Sequence, residues 1–577
     1  MPSFRHLACS AGFLAAALAA PAAAAQATRP YVVPSVAVRG ITWGPCTTQS
    51  VKVYAPVLGE RLRCGTLLAP RDHHQPADGD ITVSVVRVAA RLPDRRRGVL
   101  FVNPGGPGGD AGFFAGMLAA IWANAKPDDA VHGEKKRLAD EFDLVAVIPR
   151  GMSGSVPLQC PLTLKATTQP ILIDRSPRNI AAWDRMARGY AQACRDDPLY
   201  PYVTTAQTVY DHDLVRRALG EATFNFYGVS YGTWLGAWYG ATYPGVVGRM
   251  VFDSSMDYTR SIEANYLQSL PAAQESFVRL VARPAANRPA VYGLGSDPAA
   301  VVEVLRGLEP RVRDAWTGNF SGPEHLMAAR IVSDWLLADP ALEKSALSNR
   351  IGAHAFSDDA GINQLARDAA LNAIEEIYAP PVVRQARLSA MAAMIVTIGC
   401  NDTAATADAG AWHRTIADAA RDYPAGHSGD LMNPCVFSHG PNAVKPPIER
   451  LARAGRIMMI QSEFDRLTPV TGALRTLNEL PNAKMLILRG SDAHTVFTVT
   501  DEPCIERTGA RFLLDGRAPS SQLTECMVSL PSGPSPEHFT QPVQVRAWRS
   551  QMARQATDGG RRALLAASAT VEAEDAP

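Results

Sequence analysis

The sequence predicts an α/β fold: a mostly parallel central sheet with helices on both faces, interrupted by a large helical insertion. Three observations carry that prediction. Continuous apolar runs recur at 98–102, 142–148, 224–227, 249–253, 456–460 and 484–488. Such runs suit strands buried on both faces. Between about 260 and 398 this rhythm gives way to helical periodicity. A G-x-S-x-G pentapeptide, Gly228-Val229-Ser230-Tyr231-Gly232, joins one apolar run to a helical one, which is the strand–turn–helix context of an activated serine.

Each stretch can be taken in order. Arg5 and His6 precede an Ala/Leu stretch that runs to Ala25 and is broken by Pro21. With Ala23-Ala24-Ala25 as a small-residue cleavage site, residues 1–25 read as a signal peptide. Pro21 leaves the run too short to span a bilayer comfortably, and an uncleaved anchor is the competing reading. No later apolar stretch is long enough to span. Residues 26–257 are expected to form the first part of the core. Arg61–Leu68 and Ile81–Ala89 alternate as a hairpin-like edge. Thr208–Leu219 has helical spacing with Gly220 at its C-cap. Thr233–Tyr243 is a helix stopped by Pro244. Residues 258–434 form the mainly helical insertion, with helices expected at 262–281, 301–312, 325–337, 362–377 and 382–398, and with 399–450 loop-rich. Residues 435–545 return to the core, and 546–577 are a tail, Ala-rich and then acidic.

At 577 residues the chain can bury a large core and hold more than one domain. Lys plus Arg is 57 against 56 for Asp plus Glu. That balance excludes a strongly basic nucleic-acid binder, and no membrane partner is expected once the leader is removed. Cleavage at residue 25 would remove Cys9 and leave Cys46, Cys64, Cys160, Cys194, Cys400, Cys435, Cys504 and Cys526. An even count in an exported chain suggests disulfides. Sequence order suggests the local pairs 46–64, 160–194, 400–435 and 504–526. The C-x-x-C spacing of zinc and redox sites does not occur.

A serine hydroxyl needs a base, and the base needs an orienting acid. In folds with this serine turn the chain order is serine, acid, histidine. Asp465 follows the run at 456–460, and His494 follows the run at 484–488. Both therefore fall just past a strand's carboxyl end, where open α/β sheets place their sites. Ser230 is thus the expected nucleophile, His494 the base and then acid, and Asp465 the residue that fixes the imidazole tautomer. Glu463, two residues from Asp465, competes with it. Asp492 competes if its loop folds back, and Asp253, one strand after the serine, is a further alternative. His538 has no strand before it. The oxyanion needs donors: the N–H of Tyr231 and one from Asn103-Pro104-Gly105-Gly106-Pro107-Gly108-Gly109. Pro107 has no N–H, so Gly106 is the better donor. No metal or cofactor is required. His73-His74 reads as a solvated turn, and Asp211, His212 and Asp213 as the solvent face of a helix.

With these residues in view the chain resembles the secreted tripeptidyl aminopeptidases of the proline iminopeptidase group, serine peptidases with the α/β-hydrolase fold. The resemblance rests on the glycine loop at 103–109, Arg150-Gly151-Met152-Ser153-Gly154-Ser155, Tyr227 to Thr233, Cys400-Asn401-Asp402 and the Asp465/His494 segment. It implies export to periplasm or medium, a helical lid, and release of short peptides or single residues from free N-termini. The loop at 148–155 departs from the family's usual D-x-R-G-x-G-x-S pattern, which touches substrate choice more than chemistry. An aminopeptidase needs a carboxylate for the substrate's ammonium. Glu375, Glu376, Asp402 and Asp110 are the candidates. The alternative is an exported carboxylesterase or amidase acting on small or hydrophobic substrates with the same residues.

Overall fold

The computed structural model describes residues 31–529, apart from 163–166, 169–173, 317–319, 321, 379–381, 384–386, 427–431 and 439. The expected leader, Cys9, His538 and the tail lie outside these residues. Residues 31–33 group with the N-terminal segment, and the chain from Pro34 onward forms the second unit.

Among the described residues ten strands of that unit form one sheet: β1 (Thr42–Gly44), β2 (Leu62–Pro70), β3 (Asp80–Val88), β4 (Val99–Asn103), β5 (Asp143–Ile148), β6 (Phe224–Val229), β7 (Val247–Asp253), β8 (Arg456–Ser462), β9 (Ala483–Arg489) and β10 (Leu523–Met527). Their order is β1-β2-β3-β5-β4-β6-β7-β8-β9-β10. Pairing is antiparallel from β1 to β5 and parallel from β5 through β10. The expected hairpin is β2–β3, with the short β1 added outside it.

Strands β4, β5 and β6 are buried at every residue, which is why they read as unbroken apolar runs. Successive side chains alternate faces. Phe226 packs with Trp234 and Trp238 on one side of the sheet. Tyr227 packs with Phe114, Trp122 and Phe512 on the other.

The insertion has its own apolar core around Phe277, Trp316, Leu326, Leu336 and Ile374. Three expectations within it change. The run 301–312 is two helices, Pro298–Arg306 and Pro310–Trp316, because Gly307 and Pro310 interrupt it. The stretch 382–398 starts extended, with Val382–Val383 paired to Thr167–Thr168, and the helix runs Ala390–Asp402. Ser389 caps it by accepting from the Ala392 N–H. The loop-rich 399–450 contains the helix Ala409–Asp422, capped by Asp408.

A fourth cluster joins Trp183 and Tyr190, from the helix Pro177–Arg195 ahead of the serine, to Trp412, Ile416 and Ala392. Cys46 is bonded to Cys64, Cys160 to Cys194, Cys400 to Cys435 and Cys504 to Cys526.

Candidate active site

The strand register sets the site. Gly228 lies opposite Asn103 and Val229 opposite Asp253, and β8 continues from β7 with Ile460 opposite Asp253. The loops carrying Ser230, Asp465 and His494 therefore leave the same edge of the sheet, after β6, β8 and β9.

Ser230 takes φ 55° and ψ −124°, a conformation that costs a non-glycine residue about 1–3 kcal/mol. Its neighbours hold it there. The Ser230 N–H donates to the Asp253 carbonyl at 2.9 Å, and Thr233 Oγ1 donates to the Ser230 carbonyl at 2.7 Å. A Cβ on Gly228 would lie 2.5 Å from the Gly232 carbonyl oxygen, and one on Gly232 would lie 2.6 Å from the Asn103 oxygen. Both glycines are therefore demanded by close backbone approach. Tyr231 opens the helix Tyr231–Thr242, so no i−4 carbonyl receives its N–H.

The glycine loop presses on this turn. A Cβ on Gly105 would lie 2.4 Å from the Val229 oxygen and 3.1 Å from the Tyr231 nitrogen. The Gly105 N–H is spent on Asn103 Oδ1 at 2.9 Å. Gly106 is exposed with φ 111°.

His494 Nδ1 sits 2.9 Å from Asp465 Oδ2 and 3.2 Å from Oδ1. Asp465 is buried. It also accepts from the N–H groups of Leu467 and Thr468, at 2.9 and 3.0 Å, and from Thr468 Oγ1 at 2.8 Å. Burial pushes the Asp465 pKa up, but the imidazole and the Thr468 donors pull it below the ordinary carboxylate value. Burial pushes the His494 pKa down, while the Asp465 charge outweighs this and raises it above 6.5. Glu463 is turned elsewhere, toward Arg489 at 3.3 Å and the Gly490 N–H at 2.9 Å.

Asp253, the further alternative for the acid, sits at the end of β7, one strand after the serine, and its carboxylate binds the backbone of the histidine loop. Its carboxylate accepts from the Val496 and Phe497 N–H groups, each at 2.9 Å, and from Tyr227 Oη at 3.0 Å. Burial pushes its pKa up to about 7. The same residue thus ties the histidine loop through its side chain and Ser230 through its carbonyl. Thr495 N–H donates to Ser254 Oγ at 2.8 Å, and Thr498 N–H to Glu506 at 2.9 Å. Thr495 and Thr498 both have positive φ, so the loop is strained and firmly pinned.

The four amine-binding candidates fare differently. Asp402 is 1% exposed. Its oxygens accept from Thr205 N–H, Thr205 Oγ1 and Trp234 Nε1, at 2.8, 2.5 and 3.1 Å, so it is not open to a substrate ammonium. Glu375 is exposed and paired with Lys344 at 2.7 Å. Glu376, beside it on the helix Ala360–Ile377, is also exposed. Asp110 is exposed immediately after the glycine loop and accepts from the Phe113 N–H at 2.8 Å, capping the helix Ala111–Asn124.

Of the five side chains expected to face solvent, His74 is exposed and the other four are buried. His73 is buried, with Nε2 2.8 Å from Asp211 Oδ1. Asp211, His212 and Asp213 are buried as well, because the helix Thr205–Ala218 is covered along nearly its whole length. Arg150 forks onto Asp211 with Nε and Nη2 at 2.8 and 2.7 Å and donates to the Pro70 and Arg71 carbonyls. Burial pushes the Asp211 pKa up, and Arg150 more than offsets this, leaving it lowered. The departing loop at 150–155 is anchored by this network and by Ser155, whose Oγ donates to the Ile148 carbonyl at 2.7 Å.

Family models described as "alpha/beta hydrolase fold" and "TAP-like protein" match residues 98–322 and 424–526. A tripeptidyl aminopeptidase of Streptomyces lividans is 28% identical over 500 residues, 84% of this chain and 86% of that protein. The serine protease Hip1 of Mycobacterium tuberculosis is 30% identical over 294 residues, 49% of this chain and 52% of that protein. A protein named carboxylesterase B from the same organism is 27% identical over 475 residues, 80% of this chain and 86% of that protein.

Proposed function

We propose that this chain, a serine hydrolase with the α/β-hydrolase fold and a homologue of the tripeptidyl aminopeptidases, releases short peptides from the free N-termini of peptide substrates. The likeness to the tripeptidyl aminopeptidases supports the substrate class, and the pair of ties at Asp253 supports the catalytic arrangement. One residue receives the Ser230 N–H and the N–H groups of the histidine loop, while His494 Nδ1 faces Asp465. That arrangement suits acyl transfer. Ser230 Oγ attacks the scissile carbonyl as His494 Nε2 takes its proton. Asp465 holds the Nδ1–H tautomer and stabilises the imidazolium. The oxyanion is met by the N–H groups of Tyr231 and Gly106. His494 then protonates the leaving amine, the C–N bond breaks, and water hydrolyses the acyl-enzyme by the same proton path.

Of the four candidates for the substrate ammonium, Asp110 alone combines exposure with a position at the glycine loop, and it is assigned that role here. Four disulfides suit an oxidising compartment and support a location outside the cytoplasm.

The likeness to a carboxylesterase supports a second reading, cleavage of small esters or amides with the same residues. Turnover of tripeptide anilides against short-chain esters separates the two. Absence of peptide cleavage at millimolar substrate ends the peptidase reading. Persistence of fluorophosphonate labelling in Ser230→Ala ends both.

A further inference from the structure

The helix Ala390–Asp402 approaches the glycine loop at one end and is linked through Thr205 to Tyr231 at the other. At its start, Met391 Cα and Met394 Cβ each lie 3.0 Å from where a Cβ on Gly108 would stand. At its end, Asp402 enters a buried chain of hydrogen bonds. Tyr231 Oη and Thr205 Oγ1 are 2.6 Å apart, and Thr205 Oγ1 donates to Asp402 Oδ2 at 2.5 Å. The direction of the chain follows: Thr205 spends its proton on the carboxylate, so the tyrosine donates to Thr205. Trp234, one turn further along the serine helix, donates to the same carboxylate oxygen at 3.1 Å. The Thr205 N–H fills the other oxygen at 2.8 Å. Tyr231 is the residue directly after the nucleophile, so its side chain is a lever on the peptide plane that carries the oxyanion donor.

We infer that Asp402 is a positioning residue: acting through Thr205 and Trp234, it holds Tyr231, and with it the Tyr231 N–H, in register with the glycine loop. This rests on the proposal that Ser230 is the nucleophile. The phenol cannot swing without abandoning a buried hydroxyl, which leaves a polar group unpaired at a real cost. The helix Ala390–Asp402 is thereby coupled to catalysis by a hydrogen-bonded strut.

The test compares Tyr231→Phe, Thr205→Val, Thr205→Ser and Asp402→Asn with the full-length wild type. Readouts are kcat and KM on a tripeptide anilide, Ki for a tripeptide boronate, and the thermal midpoint. A donor used only against the tetrahedral state affects kcat and not KM. Tyr231→Phe and Thr205→Val are expected to lower kcat on the order of tenfold to a hundredfold, with KM within about twofold. The boronate Ki should rise by the same factor, because the boronate mimics the tetrahedral oxyanion. Thr205→Ser, which restores the hydroxyl, should recover most of the loss. Asp402→Asn should follow Thr205→Val, and if it does not fold the other variants still decide. Wild-type kcat in Tyr231→Phe and Thr205→Val overturns the inference. So does a fall in kcat with unchanged boronate affinity, which marks a merely structural role. Undiminished turnover by Ser230→Ala would instead remove the reading beneath it.

Discussion

Gly105→Ala tests how closely the glycine loop is fitted to the serine turn. Gly105 has φ 93°, so an alanine there carries strain of about 1–3 kcal/mol before any contact is counted. Its Cβ would meet the Val229 carbonyl oxygen at 2.4 Å and Ser230 Cβ at 3.0 Å. The oxygen belongs to β6, which is hydrogen-bonded on both sides, so the loop must be the part that moves. Reaching an ordinary contact of about 3.4 Å requires about 1 Å of displacement. Misplacement on that scale costs on the order of 100-fold in rate. Gly59→Ala is the control. It has φ 56° with nothing within 4 Å of the added carbon, and therefore carries the backbone strain without the collision. The assay is kcat on a tripeptide anilide, paired with the rate of fluorophosphonate labelling and with urea unfolding to confirm the folded fraction. Gly105→Ala should lose about two orders of magnitude in both rates, while Gly59→Ala loses only stability. A folded Gly105→Ala with wild-type kcat would show that the loop does not contribute to the oxyanion site.

Three further outcomes are expected. Asp465→Asn should lower kcat by about 10⁴-fold, as loss of the orienting acid does in such triads, whereas Asp253→Asn should act mainly by loosening the histidine loop; equal losses in steady-state assays would reopen the choice of acid. The base must be neutral to accept a proton, and Asp465 raises the His494 pKa above 6.5. Activity should therefore fall as pH drops through a midpoint above 6.5, and in Asp465→Asn that midpoint should shift toward acid in a kcat/KM–pH profile; an unmoved limb would detach the titration from His494. Arg150→Met strips Asp211 of its buried partner, and denaturant unfolding should register a loss of about 3–5 kcal/mol; a loss within about 0.5 kcal/mol would mean that His73 suffices.

The strand–turn–helix around Ser230 was legible because its demands are local. Two glycines must clear neighbouring backbone, and an apolar run must precede a helix. Asp465 and His494 were legible because parallel strands send their following loops to one edge. The loop-rich reading of 399–450 misses the helix Ala409–Asp422, although Asp408 caps it and Trp412, Ile416 and Ala419 recur on one face. The capping residues Ser389 and Asp408 mark two helix starts that propensity alone had blurred.

Burial of charge followed another logic. Asp211, His212 and Asp213 look like a solvent face when the helix Thr205–Ala218 is taken alone, yet it is covered on more than one side. Asp402 reads from sequence as a candidate for a substrate ammonium, yet it is buried against Thr205 and Trp234. Whether a carboxylate faces water, a substrate or a buried hydroxyl depends on which distant segments arrive beside it. Local sequence carries the backbone's own preferences. The electrostatic fate of a side chain depends on partners as far away as Arg150 from Asp211 or Thr205 from Asp402, and those meet only when the chain closes on itself.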